Sequence, residues 1–236
     1  AMNPVTPPSI ALTLATPRAV HGRLTLPAWT AWTALAAAGV LAGAALLPRA
    51  AHAQVGANAP ARIGVVGPFS GPSADFGVPM LNGIKLAVDE INAVGGYLGR
   101  PLELVIKDDR ADPEQGRKVA QELLAEKVVA TIGFCNSGVA LKAIDLFQDA
   151  KSPLIVPCAT ATAITAKYPA PDSYIFRVQG RDAIQAPFIV DDIVKRGWDK
   201  VAIFADKTGY GEGGYNDVVA ALATKNLKPA YAARLR

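Results

Sequence analysis

The chain has 236 residues, with 24 Lys and Arg against 20 Asp and Glu, and about half of its side chains are apolar. That composition excludes a disordered segment and leaves room for one large or two ordinary domains. The formal charge of +4 is unevenly spread: residues 1–53 hold three arginines and no acid, so residues 54–236 carry 21 basic and 20 acidic side chains, and a nucleic-acid or membrane-surface role built on net charge loses its basis.

In chain order, Arg18 and Arg23 precede an apolar run over residues 28–47, and Ala51-His52-Ala53 supplies a small-x-small cleavage site. This predicts an export leader over residues 1–53, removed before Gln54. The competing reading, a transmembrane anchor of about 20 residues, is disfavoured because the run is rich in Ala, Thr and Gly rather than Leu and Ile. No Cys follows the run to carry a lipid, which points to the periplasm. Residues 54–60 read as a linker.

From there, apolar runs alternate with amphipathic stretches. Residues 62–66 (RIGVV) predict a buried strand. From Val78 onward Met80, Ile84, Ala87, Val88, Ile91 and Val94 recur at helical spacing up to Gly95-Gly96, a helix stop signal. A second strand follows at 102–106. Asp112-Pro113-Glu114-Gln115 then reads as N-cap, N1 proline and capping-box Gln, with Val119, Ala120, Leu123 and Leu124 on one face. A strand at 128–132 precedes a helical stripe of Ala140, Ala143, Ile144 and Phe147. Short strands at 154–156 and 174–178 come next. After these are a helix with Ile184, Phe188, Ile189, Ile193 and Val194, a strand at 201–205, a helix from about 213 to 224, and an extended start at Pro229.

Strands alternating with helices imply parallel pairing and right-handed crossovers, an α/β doubly wound fold. The break at Val178-Gln179-Gly180-Arg181 predicts a boundary between a lobe over residues 61–178 and the start of a second over 179–236. The chain stops inside an element, so it reads as an incomplete one.

The 183 residues after the leader contain no His, which excludes a Ser-His-Asp or Cys-His nucleophile and a His-ligated zinc site in this part of the chain. Asp108, Asp109 and Asp112 invite a magnesium reading, yet acids at the end of a strand before an N-cap more often form a solvated turn that favours the helix N-terminus. The stretch 209–214 (GYGEGG) matches G-x-G-x-x-G after a strand and before a helix, the context of a dinucleotide site. The ribose-binding acid about 20 residues on is missing, and Tyr210 and Glu212 are bulky for a pyrophosphate loop, so a flexible Gly-rich approach to a helix is the plainer reading. Cys135 and Cys158 can pair in an oxidising compartment or sit apart as two buried thiols.

Small hydroxyl residues fall after three strands: Phe69-Ser70-Gly71-Pro72, Cys135-Asn136-Ser137-Gly138 and Cys158-Ala159-Thr160-Ala161. In an open parallel sheet, ligands bind beyond the C-terminal strand ends, where helix N-termini present free N–H groups. Hydroxyls and backbone donors without a nucleophile activator suit the holding of a carboxylate.

The motifs IGVVGPFSGPSADFG, NGIKLAVDEINAVGG, DDRADPEQ, IGFCNSGVALKA, VPCATATAIT, FRVQGRDAIQA and VAIFADKTGYGEG, in this order over residues 61–236, resemble the periplasmic leucine/isoleucine/valine-binding proteins, type I solute receptors of ABC importers. The resemblance implies two similar α/β lobes that close on a ligand. It implies Ser137 as hydroxyl donor to the ligand carboxylate, Ala159 as a source of backbone contacts and Thr160 as a holder of the carboxylate and amino group. It places Phe76 near the ligand side chain and Tyr210 as the second-lobe residue that closes over it; Ser70, from its place after the first strand, is expected to engage the polar head together with Ser137, Ala159 and Thr160. The family's disulfide pairs a Cys after the second strand with one just before the ligand Ser; here the first is absent and Asn136 takes the second place.

The expectation is therefore a monomeric periplasmic capture protein for a small carboxylate ligand, a branched-chain or related amino acid. It needs no cofactor, metal, catalysis or nucleic acid, and its partner is an ABC permease in the inner membrane. The alternatives are a nucleotide-dependent enzyme using the 209–214 segment and a ligand-sensing receptor domain of the same fold.

Overall fold

The computed structural model describes residues 59–235; the expected leader and all but the end of the linker lie outside the described residues. Strand β1 (Ala61–Gly67) is almost wholly buried, as an apolar run must be when both faces of a parallel sheet are covered. Its neighbours are β2 (Leu102–Asp108) on one side and β3 (Ala130–Gly133) on the other. Strands β4 (Leu154–Val156) and β5 (Ile175–Arg177) continue outward, and all four pairings are parallel, in the order β2-β1-β3-β4-β5. The chain leaves β1 toward β2 and returns past it to β3, so the C-terminal ends of β1 and β3 form the switch point of the sheet.

Right-handed crossovers place α1 (Ala74–Ala93) on one face and both α2 (Pro113–Ala125) and α3 (Ser137–Asp149) on the other. Helix α2 starts as its residues demand: Pro113 is at N1, and the Asp112 carboxylate accepts the Gln115 N–H at 2.7 Å. Val119, Ala120 and Leu123 of α2 and Ala140, Ala143, Ile144 and Phe147 of α3 are buried and form the centre of the core with Val66, Leu154 and Val156. Phe134, at the end of β3, meets Phe147 edge to face at 6.2 Å.

Two apolar stripes are used differently from expectation. Helix α1 begins at Ala74, runs through Pro79 and stops at Gly95-Gly96, where the Gly96 N–H reaches the Ile91 carbonyl at 2.9 Å. Met80, Ile84 and Val88 are half-buried, but Ala87, Ile91 and Val94 are exposed. Among the described residues no helix lies beside α1, so only one row of its side chains meets the sheet.

The second part of the chain contains α5 (Asp182–Lys195), β6 (Val201–Asp206), α6 (Gly209–Ala223) and β7 (Pro229–Leu235), with β6 and β7 paired in parallel. On α5 the buried apolar residues are Ala186 and Val190, packed with Ala221 and Leu222 of α6, whereas Ile184, Phe188 and Ile189 are exposed. The short helix α4 (Ala163–Ala166) joins β4 to β5. Strand β3 lies later than 128–132, because Lys127 at φ +54° still belongs to the preceding turn.

Candidate functional site

Three turns meet at the switch point. After β1, the Phe69 N–H and the Ser70 hydroxyl both donate to the Asp108 carboxylate at the end of β2, as does the Arg110 N–H. Burial opposes ionisation of Asp108, but these donors outweigh it and hold its pKa below the usual carboxylate value. Asp109 faces the other way. It is fully buried, with one oxygen accepting the Ala111 N–H at 2.8 Å and the other without a partner. Burial pushes its pKa up to about 6, against the Ala111 hydrogen bond and with help from the charge on Asp108. The expectation of a solvated acidic turn is corrected for this residue: Asp109 packs under the turn while Asp108 and Asp112 serve N–H donors. Among the described residues, no group of three or more His, Cys, Asp or Glu is arranged to hold a metal ion.

After β3, Phe134 takes a left-handed conformation (φ +65°) with its N–H on the Val66 carbonyl at 3.1 Å. This bend aims the following residues across the sheet edge, so that Ser137 opens α3 while only 2% exposed. Its hydroxyl oxygen accepts the Ala161 N–H from the turn after β4 at 3.2 Å, so its own proton is left to donate. Asn136, the N-cap, directs its side-chain amide N–H to Ser73 rather than to the helix, and its buried side-chain Oδ1 has no partner. The N–H groups of Ser137, Gly138 and Val139 precede the first intrahelical bond, from Ala140 to Asn136. A hydroxyl donor and a cluster of free N–H groups at the positive end of a 13-residue helix are what a carboxylate requires.

After β4, Ala159 is buried and Thr160 half-buried. This turn is held from below by Arg177 of β5, which donates to the carbonyls of Thr160 and Ala161 at 3.0 and 2.8 Å and to the Thr165 hydroxyl at 3.1 Å. Desolvation lowers the Arg177 pKa, and the nearby Asp182 counters it. Sequence reading passed over Arg177, whose only signal was a charge inside a short apolar strand. It also passed over Thr162, whose hydroxyl donates to Asp217 on α6 at 2.7 Å and accepts the Ala183 N–H of α5 at 2.9 Å, tying the two parts of the chain together.

Ser137, Ala159 and Thr160 thus form one connected group. Ser70 lies on the flank, committed to Asp108. Phe76, in α1, is 66% exposed. Tyr210, in the first turn of α6, lines a cavity of about 280 Å³ with Asp182, Gln185, Phe204, Asp206 and Tyr215. It approaches Ser137 only through its neighbour: a Cβ on Gly209 would stand 2.9 Å from the Gly138 Cα, so the starts of α3 and α6 touch backbone to backbone.

The 209–214 segment is not a flexible approach to a helix but the first part of α6, capped by the Thr208 hydroxyl, which accepts the Tyr210 and Gly211 N–H groups. Gly211 is pressed onto Asp206, leaving no room for a Cβ, and Glu212 is paired with Arg234 at 2.8 Å. Gly209 and Gly211 serve close packing of the helix start, and no open loop remains to wrap a pyrophosphate.

The leucine-, isoleucine-, valine-, threonine- and alanine-binding protein of Pseudomonas aeruginosa is 35% identical over 171 residues, covering 72% of this chain and 45% of the relative. A branched-chain amino acid transporter substrate-binding protein of Streptococcus pneumoniae, solved with isoleucine, matches with a TM-score of 0.64 at 27% identity, covering 75% of this chain and 49% of that one. A solute-binding protein of an ABC transporter from Rhodopseudomonas palustris, solved with 3,4-dihydroxybenzoic acid, matches with a TM-score of 0.65 at 28% identity, covering 75% and 47%. The chain thus spans somewhat less than half the length of the curated relatives it matches. Residues 60–234 fit the family described as periplasmic binding protein, and with the parallel α/β architecture in place, this chain belongs to the periplasmic binding protein family.

Proposed function

We propose that this chain is the ligand-capturing part of the substrate-binding component of an ABC importer, and that its ligand is a small carboxylate, a branched-chain or related amino acid. The observation that carries the reading is Ser137: buried at the start of α3, its hydroxyl accepts the Ala161 N–H and keeps its proton for an anion that the free helix N–H groups also face. Its neighbours Ala159 and Thr160 line the same edge. Lobe closure follows from the contacts between the two parts of the chain, because a ligand that touches both stabilises the closed form over the open one. The binder acts in the periplasm as a monomer, delivered by a cleaved leader, and hands its ligand to an inner-membrane permease without cofactor or catalysis.

A second reading within the same chemistry is an aromatic carboxylic acid, favoured by the dihydroxybenzoate-bound relative. The two share the carboxylate contact and differ in the ammonium group.

The test is a thermal-shift screen of the full-length protein against branched-chain amino acids, aromatic acids, dicarboxylates and amides. A true ligand at ~100 times its Kd stabilises by about 2.7 kcal/mol, a rise of several degrees. Response to leucine or isoleucine supports the amino-acid reading, and response to benzoates alone replaces it with the second. A shift with NAD and with none of these carboxylates would sink both.

A further inference from the structure

Cys135 and Cys158 each lie two residues past the ends of β3 and β4. The two strands pair with Thr131 opposite Leu154 and Ile132 opposite Ile155. Carried three residues onward, this register sets Cys135 level with Cys158, and their separation of 23 in sequence equals the register offset. Neighbouring strands lie about 4.8 Å apart, inside the Cα spacing of roughly 4.4–6.8 Å that a disulfide accepts. The side chains have turned to the same side, with the sulfurs 2.8 Å apart, and both residues are half-buried. Met80 of α1 closes the third side, its Sδ 3.7 Å from Cys135 Sγ and 3.9 Å from Cys158 Sγ.

Three converging sulfurs suit either a covalent bond or a soft metal ion, and the distances separate the two. A disulfide needs the 2.8 Å gap to close to about 2.05 Å, a shift of less than about 1 Å. A shared ion with sulfurs at about 2.3 Å holds them roughly 4 Å apart in a trigonal plane, so the same gap would have to open by more than 1 Å against Met80.

We propose that Cys135 and Cys158 form a reversible disulfide that cross-links the ends of β3 and β4, next to the turns carrying Ser137 and Thr160. The reaction is thiol–disulfide exchange with a disulfide-bearing oxidant. The Cys158 thiolate attacks one sulfur of the oxidant and expels its partner as a thiolate, giving a mixed disulfide. Cys135 then loses its proton, attacks the Cys158 sulfur and expels the second thiolate. Two thiols and one disulfide become one protein disulfide and two thiols; two electrons pass to the oxidant and the two protons to its thiolates. The order of attack follows from the hydrogen bond between them. Cys135 donates to Cys158, which lowers the Cys158 pKa, while that contact, burial, and the charges of Cys158 and Asp109 raise that of Cys135.

The experiment treats reduced full-length protein with excess oxidised glutathione under native conditions and follows free thiols and intact mass. The expected product has lost both thiols and about 2 Da, the two hydrogens removed, and its digest contains a Cys135–Cys158 linked peptide that dithiothreitol separates. In the single variants, Cys135→Ser collects a glutathione adduct of about 305 Da several-fold faster than Cys158→Ser. Two thiols that stay free on the wild-type protein would overturn the proposal. So would one equivalent of Cu(I), supplied alone, that resists bicinchoninate competition and blocks oxidation, since that outcome assigns the sulfurs to a metal. None of these readouts depends on which ligand the protein carries.

Discussion

Ser137 draws its value from two neighbours that its own sequence position does not reveal. The Ala161 N–H occupies one lone pair of its oxygen, which leaves the hydroxyl proton free to donate, and burial strengthens any bond it makes to a charged group. Ser137→Ala should therefore weaken ligand binding by about 1.5–3 kcal/mol, the range for a hydrogen bond to an ion. Titration calorimetry on the full-length protein checks this, and unchanged affinity removes Ser137 from the site. Asp109 is a residue with a cost. Its pKa of about 6 in the fold lies above about 3.9 in the unfolded chain, so between these values the native state binds the extra proton and stability falls as pH rises. About two units correspond to about 3 kcal/mol at most, present as a penalty above pH 6 and relieved below pH 4. Asp109→Asn keeps an acceptor for the Ala111 N–H and removes the charge. Urea unfolding at pH 4 and pH 7 should show the variant gaining roughly 2 kcal/mol relative to wild type between the two, and a parallel pH profile would refute the assignment.

At the scale of elements, the telling contact is between helix starts. Gly138 and Gly209 let α3 and α6 touch without side chains between them, which brings a turn of the second part of the chain against the N-terminal end of α3. Gly209→Val inserts three carbons where a single Cβ would stand only 2.9 Å from backbone. The expected loss is about 1–3 kcal/mol of unfolding free energy, typical of overpacking. Gly83→Ala is the control, since nothing lies within 4 Å of a Cβ there and helix propensity favours Ala by up to about 1 kcal/mol. Equal stabilities for Gly209→Val and wild type would mean that the helix starts do not meet in solution. The strand ends form an element-scale unit as well: Arg177 props the β4 turn by its carbonyls and Ser137 holds it by an N–H, so hydrogen bonds link the ends of β3, β4 and β5.

Across the whole molecule, local rules were readable in the order of residues and non-local ones were not. Strand and helix alternation, the Asp112-Pro113 cap, the Gly95-Gly96 stop and the core stripes of α2 and α3 depend on period and on neighbours a few positions away, and residue order determined them. So did the placement of Ser137, Ala159 and Thr160 after successive strands, because parallel crossovers return every strand end to one edge of the sheet. Only the tertiary structure decided which apolar stripe is used: α5 buries Ala186 and Val190 rather than Ile184 and Phe188, since burial depends on what packs opposite. It alone turned GYGEGG from a loop into a capped helix, drew Asp109 out of solvent, and set Cys135 level with Cys158 through a strand register. A register relates residues on separate strands, and its energy lies in the ladder and core contacts between them, which no short stretch of residues contains.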